Sequence, residues 1–187
     1  MLAAVARRLV GGAKPLRFFR PLVSNDSGAT AVEFSIVAAP CLALLAALFQ
    51  TALVFLADSE LDEAVTQASR SILTGQAQNS GMSQAQFNSL VCQNIYAMFN
   101  CNNLMVNVQT YASFSAASTS APTLTYNAQG QVTNSWSYNP GGPSDIVVVQ
   151  VMYQWPVILG PLGFNLSTLA NGDRLLMSTA VFRNEPF

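Results

Sequence analysis

A run of 24 consecutive residues without a charged side chain, 34–57, is the feature that most constrains this chain. At about 1.5 Å of helical rise per residue, such a run spans the roughly 30 Å hydrocarbon core of a bilayer. Five of the eight cationic side chains precede the run, and four carboxylates follow it within residues 58–63. Because Lys and Arg accumulate on the cytoplasmic flank of a membrane helix, the sequence predicts a single-pass protein. Its N-terminus would be cytoplasmic and residues 58–187 would be exported.

Two other interpretations of the apolar run fit less well. A removable secretory signal has an apolar core of about 7–15 residues that ends in a small-x-small cleavage site. The present run is longer, and Leu56-Ala57-Asp58 does not form such a site. A lipoprotein signal centred on Cys41 is disfavoured because most of the run follows that cysteine. A retained transmembrane helix over 29–57 is therefore the prediction.

The junction between the basic leader and the apolar run holds a glycine and a glutamate, Gly28 and Glu33. An ionisable side chain at the edge of a membrane helix is costly when buried and is a functional candidate. If the chain were cut after Gly28, Ala29 would become the new amino terminus and Glu33 would follow one helical turn later. Packed among other helices, that carboxylate can neutralise the amine of an incoming subunit. The alternative is an interfacial carboxylate that extends to the headgroups.

Basic leader, Gly28, Glu33-Phe34 and apolar helix together resemble the class III signal of type IV pilins and pseudopilins. More closely, the chain resembles the TadE-like pseudopilins of tight-adherence (Flp, type IVc) pilus systems. The stretches that carry this resemblance are Gly28-Ala-Thr-Ala-Val-Glu-Phe34, the acidic helix after the span, Cys92 with Cys101-Asn-Asn-Leu-Met-Val-Asn-Val108, and Ala180-Val-Phe-Arg-Asn-Glu-Pro-Phe187. Phe34 stands where the family often has tyrosine.

The resemblance implies cleavage between Gly28 and Ala29 by a membrane-embedded aspartic prepilin peptidase. It also implies a minor role in pilus assembly beside other pilins, in the bacterial inner membrane, with the extracellular filament as a further location. Residues 1–28 would then be a cytoplasmic leader that is removed.

Helical spacing continues beyond the membrane run. The apolar positions of this second half are Leu61, Ala64, Val65, Ala68 and Ile72. The sequence thus predicts one helix from near Thr30 to Thr74, ended by Gly75, with a kink at Pro40. A capping box formed by Ser83 and Gln86 predicts a second, short helix that ends near Phe99.

Three segments have the alternation or the β-branched content of strands: 104–109, 146–155 and 174–182. Residues 115–145 are rich in turn-forming side chains and predict a long flexible loop, with an edge strand near Leu124 or Val132. The predicted fold is α+β and pilin-like: the transmembrane helix continues into an amphipathic helix, which packs with the short helix on one face of a small, mostly antiparallel sheet.

The three cysteines lie in two different regions of the chain. Cys41 lies in the apolar run and is predicted to be a packing residue. Cys92 and Cys101 lie in the exported domain, where oxidation is permitted, so a disulfide between them is the prediction and two free thiols are the alternative. With no histidine in the chain, two cysteines do not form a zinc site.

The composition contains few of the side chains that catalysis or nucleic-acid binding requires. Charged residues are only 9% of the chain, which disfavours phosphate contacts. Without histidine, no Ser–His or Cys–His nucleophile pair can form. Asp145, Asp173 and Glu185 adjoin turn signals, which favours solvated positions. We therefore expect no enzyme activity, cofactor, metal or small-molecule substrate, and tyrosines that serve the core more than an adhesive surface. Two functions remain: a processed minor pseudopilin, or an unprocessed bitopic anchor whose periplasmic domain binds another envelope protein.

Overall fold

The computed structural model describes residues 28–95, 98–158 and 164–187. Within these residues, three α-helices, Ala29–Leu73 (α1), Gln76–Asn79 (α2) and Gln84–Gln93 (α3), precede three strands, Met105–Tyr111 (β1), Ile146–Trp155 (β2) and Arg174–Arg183 (β3). The chain forms two compact units, one up to Leu44 and one from Leu45 to Phe187. The fold is α+β, as the sequence predicts.

Helix α1 is one continuous helix of 45 residues that contains Pro40. The five apolar positions of its second half that the sequence singled out are all fully buried. The helix ends one residue before Thr74, and Gly75 follows with φ +75°, a conformation that glycine adopts without steric cost. A side chain at Gly75 would also collide with the ring of Phe187, so glycine is required there for two reasons. The predicted kink at Pro40 stays a prediction.

Helix α3 has the predicted capping box, in which Ser83 and Gln86 each accept a hydrogen bond from the other's backbone N–H. The helix ends at Gln93 and not near Phe99, so its predicted end was wrong. Beyond Gln93 the N–H groups of Asn94 and Ile95 bond to carbonyls three residues back, and the Asn94 side chain donates to the Leu90 carbonyl. This tighter pattern replaces the α-helical bonds that would continue the helix.

The sheet has the order β1-β2-β3, and both pairings are antiparallel. Trp155 lies opposite Arg174 at one end of the sheet, and Ile146 lies opposite Arg183 at the other. The three predicted strands are confirmed, with β1 running from Met105 to Tyr111 and β3 extended to Arg183.

The predicted edge strand does not form in the described part of residues 112–145. The β-structure of that segment is limited to isolated bridges, one between Tyr126 and Val132 and one between Val108 and Tyr138. Side-chain amides take the place of a strand ladder there, since Asn127 and Asn134 bind backbone and side-chain groups of the segment.

One face of the sheet packs on the helices. Its inward side chains join the buried stripe of α1 and residues of α3 in one core: Val106, Val108, Val147, Val149, Val151 and Leu176 meet Leu61, Val65, Ile72, Phe87 and Val91. The opposite face is covered by the segment between β1 and β2. On that face Gln150 is 6% exposed and donates to the Ser120 carbonyl, and Met105 is 7% exposed. The covering segment therefore shields Met105 and Gln150 from solvent.

Candidate processing and assembly site

The four residues that the sequence singled out at the junction lie together at the start of α1. The helix begins at Ala29, directly after Gly28. Ala29 and Glu33 are four residues apart in this helix, so they lie one above the other on the same face. Glu33 is exposed, Phe34 is 73% exposed, and a Cβ built on Gly28 would meet nothing within 4 Å. The predicted leader, apart from Gly28, lies outside the described residues.

The helix that follows carries a continuous exposed apolar surface. Side chains that are half exposed or more are Val32, Phe34, Ile36, Val37, Leu42, Leu44, Leu45, Leu48, Phe49, Phe55 and Leu56. Because successive residues of a helix are about 100° apart, these positions surround the helix and do not form one stripe. Among the described residues, α1 is the one helix long and apolar enough to cross a membrane. Such a surface can be covered by lipid or by other apolar helices.

The predicted disulfide is confirmed: Cys92 and Cys101 are bonded, with Cα atoms 5.8 Å apart. The bridge joins the end of α3 to the 3₁₀ turn Cys101–Asn103 that precedes β1. Cys41 is a free cysteine and is exposed on the apolar part of α1. The bridge therefore ties the short helix to the sheet and leaves the membrane segment unlinked.

A crevice of about 620 Å³ opens where β3 begins beside the middle of α1. Its polar lining includes the side chains of Asp58 and Arg174. Burial raises the pKa of the Asp58 carboxyl, and the nearby Asp62 carboxylate raises it further, while Arg174 acts in the opposite direction. Arg174 donates to the Leu166 carbonyl through Nη1 at 3.3 Å. Sequence reasoning missed this crevice because no local spacing relates position 58 to position 174.

Two of the acidic residues that adjoin turn signals, Asp145 and Asp173, are not brought together. Asp145 precedes β2 and Asp173 precedes β3, which places them at opposite ends of the antiparallel sheet. Asp145 accepts the Gly142 N–H at 2.8 Å, and Asp173 accepts the Asn171 side-chain amide at 2.8 Å. Within residues 28–95, 98–158 and 164–187, no group of three or more His, Cys, Asp or Glu side chains is arranged to hold a metal ion.

The part of the chain that matches a known protein family is this junction and the helix α1 that follows it. Residues 28–70 match the family model of TadE-like proteins. No curated protein and no solved structure gives a significant match. The matched segment contains Gly28, Glu33 and the acidic helix; the two other stretches of the sequence resemblance, 92–108 and 180–187, lie outside it. Residues 28–70 are thus a TadE-like segment, which suggests a component associated with tight-adherence pili and with the membrane.

Proposed function

We propose that this protein is a minor pseudopilin of a tight-adherence pilus, cleaved between Gly28 and Ala29 by a prepilin peptidase. The observation that carries the proposal is the position of Gly28 directly before an exposed apolar helix, within the segment that matches the TadE-like family. A peptidase needs an accessible peptide bond, and the start of α1 is exposed on both sides of the Gly28–Ala29 bond. The orientation follows from the basic leader: the N-terminus is cytoplasmic and residues 58–187 are exported.

In this proposal, the exposed apolar surface of α1 has two successive contacts. Before assembly it contacts lipid, and during assembly it packs against helices of other pilins. Removal of the leader exposes the Ala29 amine one helical turn from Glu33. In an apolar environment a charged amine is costly unless an opposite charge neutralises it, and Glu33 of a neighbouring or the same subunit supplies that charge.

The protein acts as a structural component and not as an enzyme. Support for this part comes from the side chains of the exported domain. Asp145 and Asp173 lie at opposite ends of the sheet and bind groups of their own turns, and the chain has no histidine. The disulfide and the packed core suit a rigid subunit that presents surfaces to partners.

The proposal is tested by coexpression with the prepilin peptidase of the same pilus system. We expect intact-mass analysis of the membrane-extracted protein to show a chain that begins at Ala29, and Gly28→Asp to remain full length. Ser118→Asp is the control, because Ser118 is exposed in the exported domain, away from the junction. It should be cleaved normally. A mature protein that still begins at Met1 would reject the pseudopilin proposal in favour of an unprocessed bitopic anchor.

The role of Glu33 is tested separately with Glu33→Gln, which keeps size and polarity but removes the charge. Cleavage should persist, while co-purification of the processed variant with partner pilins should fall, since an unpaired desolvated amine costs several kcal/mol. Glu63→Gln, an exposed carboxylate on the same helix, is the control and should assemble normally. Normal recovery of partners with Glu33→Gln would mean that Glu33 is only an interfacial residue.

A further inference from the structure

At the last turn of the apolar run, the exported domain covers one side of α1 and leaves the other side open. Val54 is 5% exposed and Ala57 is fully buried, and both belong to the core of the domain. On the same turn Phe55 is 66% exposed and Leu56 is 50% exposed. The part of the domain that packs on Val54 and Ala57 must therefore lie at the same depth as Phe55 and Leu56.

That depth is close to the lipid. About 20 helical residues cross the hydrocarbon, and the headgroup layer adds roughly 5–7 Å on each side. A span that starts at Phe34 reaches the end of the hydrocarbon near residue 53, and residues 54–57 add about 6 Å. Whether the hydrocarbon ends at 53 or at 57, this turn lies in the headgroup layer or just inside the acyl chains.

The sheet is oriented with one end toward this turn. Glu185, just after β3, donates its N–H to the Leu73 carbonyl, which places the Ile146–Arg183 end of the sheet beside the end of α1. The crevice shared by Asp58 and Arg174 places the other end of the sheet beside the first charged residue after the apolar run. The end at which β2 finishes and β3 begins is thus the end nearest the membrane.

Two side chains at this end suit a phospholipid surface. Ile158, three residues after β2, is 80% exposed, more than any other large apolar side chain of the described residues. Arg174 is the only cation at this end among the three cationic side chains that follow the span; Arg70 lies in the last turn of α1 and Arg183 at the far end of β3. Its Nε is buried and has no hydrogen-bond partner among the described residues, so a lipid phosphate would reach the guanidinium at its outer nitrogens. An apolar side chain and a guanidinium at the same end of a domain match the boundary between acyl chains and phosphates.

We propose that this end of the exported domain docks on the phospholipid surface, with Ile158 inserted among the headgroups and Arg174 bound to lipid phosphate. The inference rests on the proposed membrane insertion of α1. Docking would fix the orientation of the domain relative to the bilayer, since α1 and Ile158 would make two separate contacts with it. A guanidinium recognises phosphate by charge-assisted hydrogen bonds, which a glutamine in the same place provides only weakly.

The experiment uses the full chain in vesicles of phosphatidylethanolamine and phosphatidylglycerol, with an environment-sensitive fluorophore on a single free cysteine. Three labelled proteins are compared. The native chain is labelled at Cys41, which reports insertion of α1. Ile158→Cys, with Cys41→Ser, reports docking. Phe114→Cys, also with Cys41→Ser, is the matched control, because Phe114 is apolar, 57% exposed and follows β1 at the far end of the sheet.

Docking predicts a blue-shifted emission at position 158 and loss of fluorescence when lipids carry a nitroxide near the headgroup. The label at position 114 should show neither change, and the label at Cys41 should be quenched by nitroxides deep in the acyl chains. An unquenched label at 158 with a quenched label at 41 would overturn docking while membrane anchoring stands. An unquenched label at 41 would overturn both. A blue shift at 158 without lipid quenching would indicate that the label contacts protein and not lipid, and would also overturn docking.

The role of Arg174 is tested in the protein labelled at position 158. Arg174→Gln should reduce lipid quenching, Arg174→Lys should retain most of it, and Arg183→Gln should leave it unchanged. Equal quenching with Arg174→Gln and Arg183→Gln would show that the guanidinium does not bind lipid phosphate.

Discussion

The two parts of α1 are built from similar apolar residues but have opposite surroundings. Between 34 and 57 most large apolar side chains are half exposed or more, and they surround the helix. Between 58 and 73 the apolar side chains form a stripe, and Leu61, Val65 and Ile72 are completely buried by the sheet and α3. Charged and polar residues occupy the other positions of this second part.

The difference shows which surroundings each part of α1 requires. A helix that is apolar on all sides is stable only in lipid or among other apolar helices, whereas an amphipathic helix needs a single packed partner. One helix thus serves a membrane and a folded domain, and the change of pattern at Asp58 marks the transition. Three measurements test this difference between the two parts of α1.

The largest expected effect is a difference in the free energy of unfolding when the same substitution is made in the two parts of α1. Leu61→Ala should lower the free energy of unfolding of the exported domain by about 2–5 kcal/mol, because it removes a fully buried side chain from a packed core. Leu48→Ala should change it by less than about 0.5 kcal/mol, because Leu48 is 67% exposed. Urea denaturation of the full chain in detergent, followed by tryptophan fluorescence, measures both. Equal effects would mean that the two parts are not distinct in their packing.

An intermediate effect is expected from the disulfide, which restrains only the exported domain. Replacing both Cys92 and Cys101 with serine should destabilise that domain by about 2.5–3 kcal/mol, the loop-closure value for a ten-residue loop. The same denaturation experiment applies, with Cys41→Ser as the control. Helicity of the membrane part, followed by circular dichroism in detergent, should not change. Unchanged domain stability in the double variant would show that the bridge adds no restraint.

The smallest effect is expected at Asp58, where the two parts meet. Burial raises the pKa of this carboxyl above its usual 3.8. The folded protein therefore binds the proton more tightly than the unfolded chain, so this group stabilises the fold at low pH and loses that contribution as pH rises through the folded pKa. Asp58→Asn should be more stable than the wild type at neutral pH, by less than about 1 kcal/mol because the group is partly exposed.

The gain from Asp58→Asn should disappear below pH 3.8, where the wild-type carboxyl is protonated in both states. Thermal unfolding at the two pH values measures the difference, and Glu63→Gln is the control on an exposed side of the same helix. A gain that is independent of pH would assign the effect to something other than ionisation.

Much of this architecture could be predicted from local patterns. The capping box at Ser83 and Gln86, the continuous strand 146–155 and the buried stripe of α1 each depend on neighbouring residues, and the structure contains all three. The end of α3 could not be predicted in this way. The apolar positions up to Phe99 continue the helical spacing, but the Asn94 side chain and the Cys92–Cys101 bridge redirect the chain after Gln93.

Features that depend on short spacings can be inferred from the sequence alone: the apolar run, the glycine and glutamate before it, the amphipathic stripe and the candidate disulfide. Three other features are visible only in the folded chain: what covers the second face of the sheet, which end of the sheet lies beside Asp58, and the crevice that Arg174 shares with that carboxylate. The physical reason is range. Hydrophobic periodicity and capping act within a few residues, whereas these arrangements join positions more than 100 residues apart in the case of Asp58 and Arg174. Such contacts depend on how the helices and strands pack together, and no local sequence pattern predicts them.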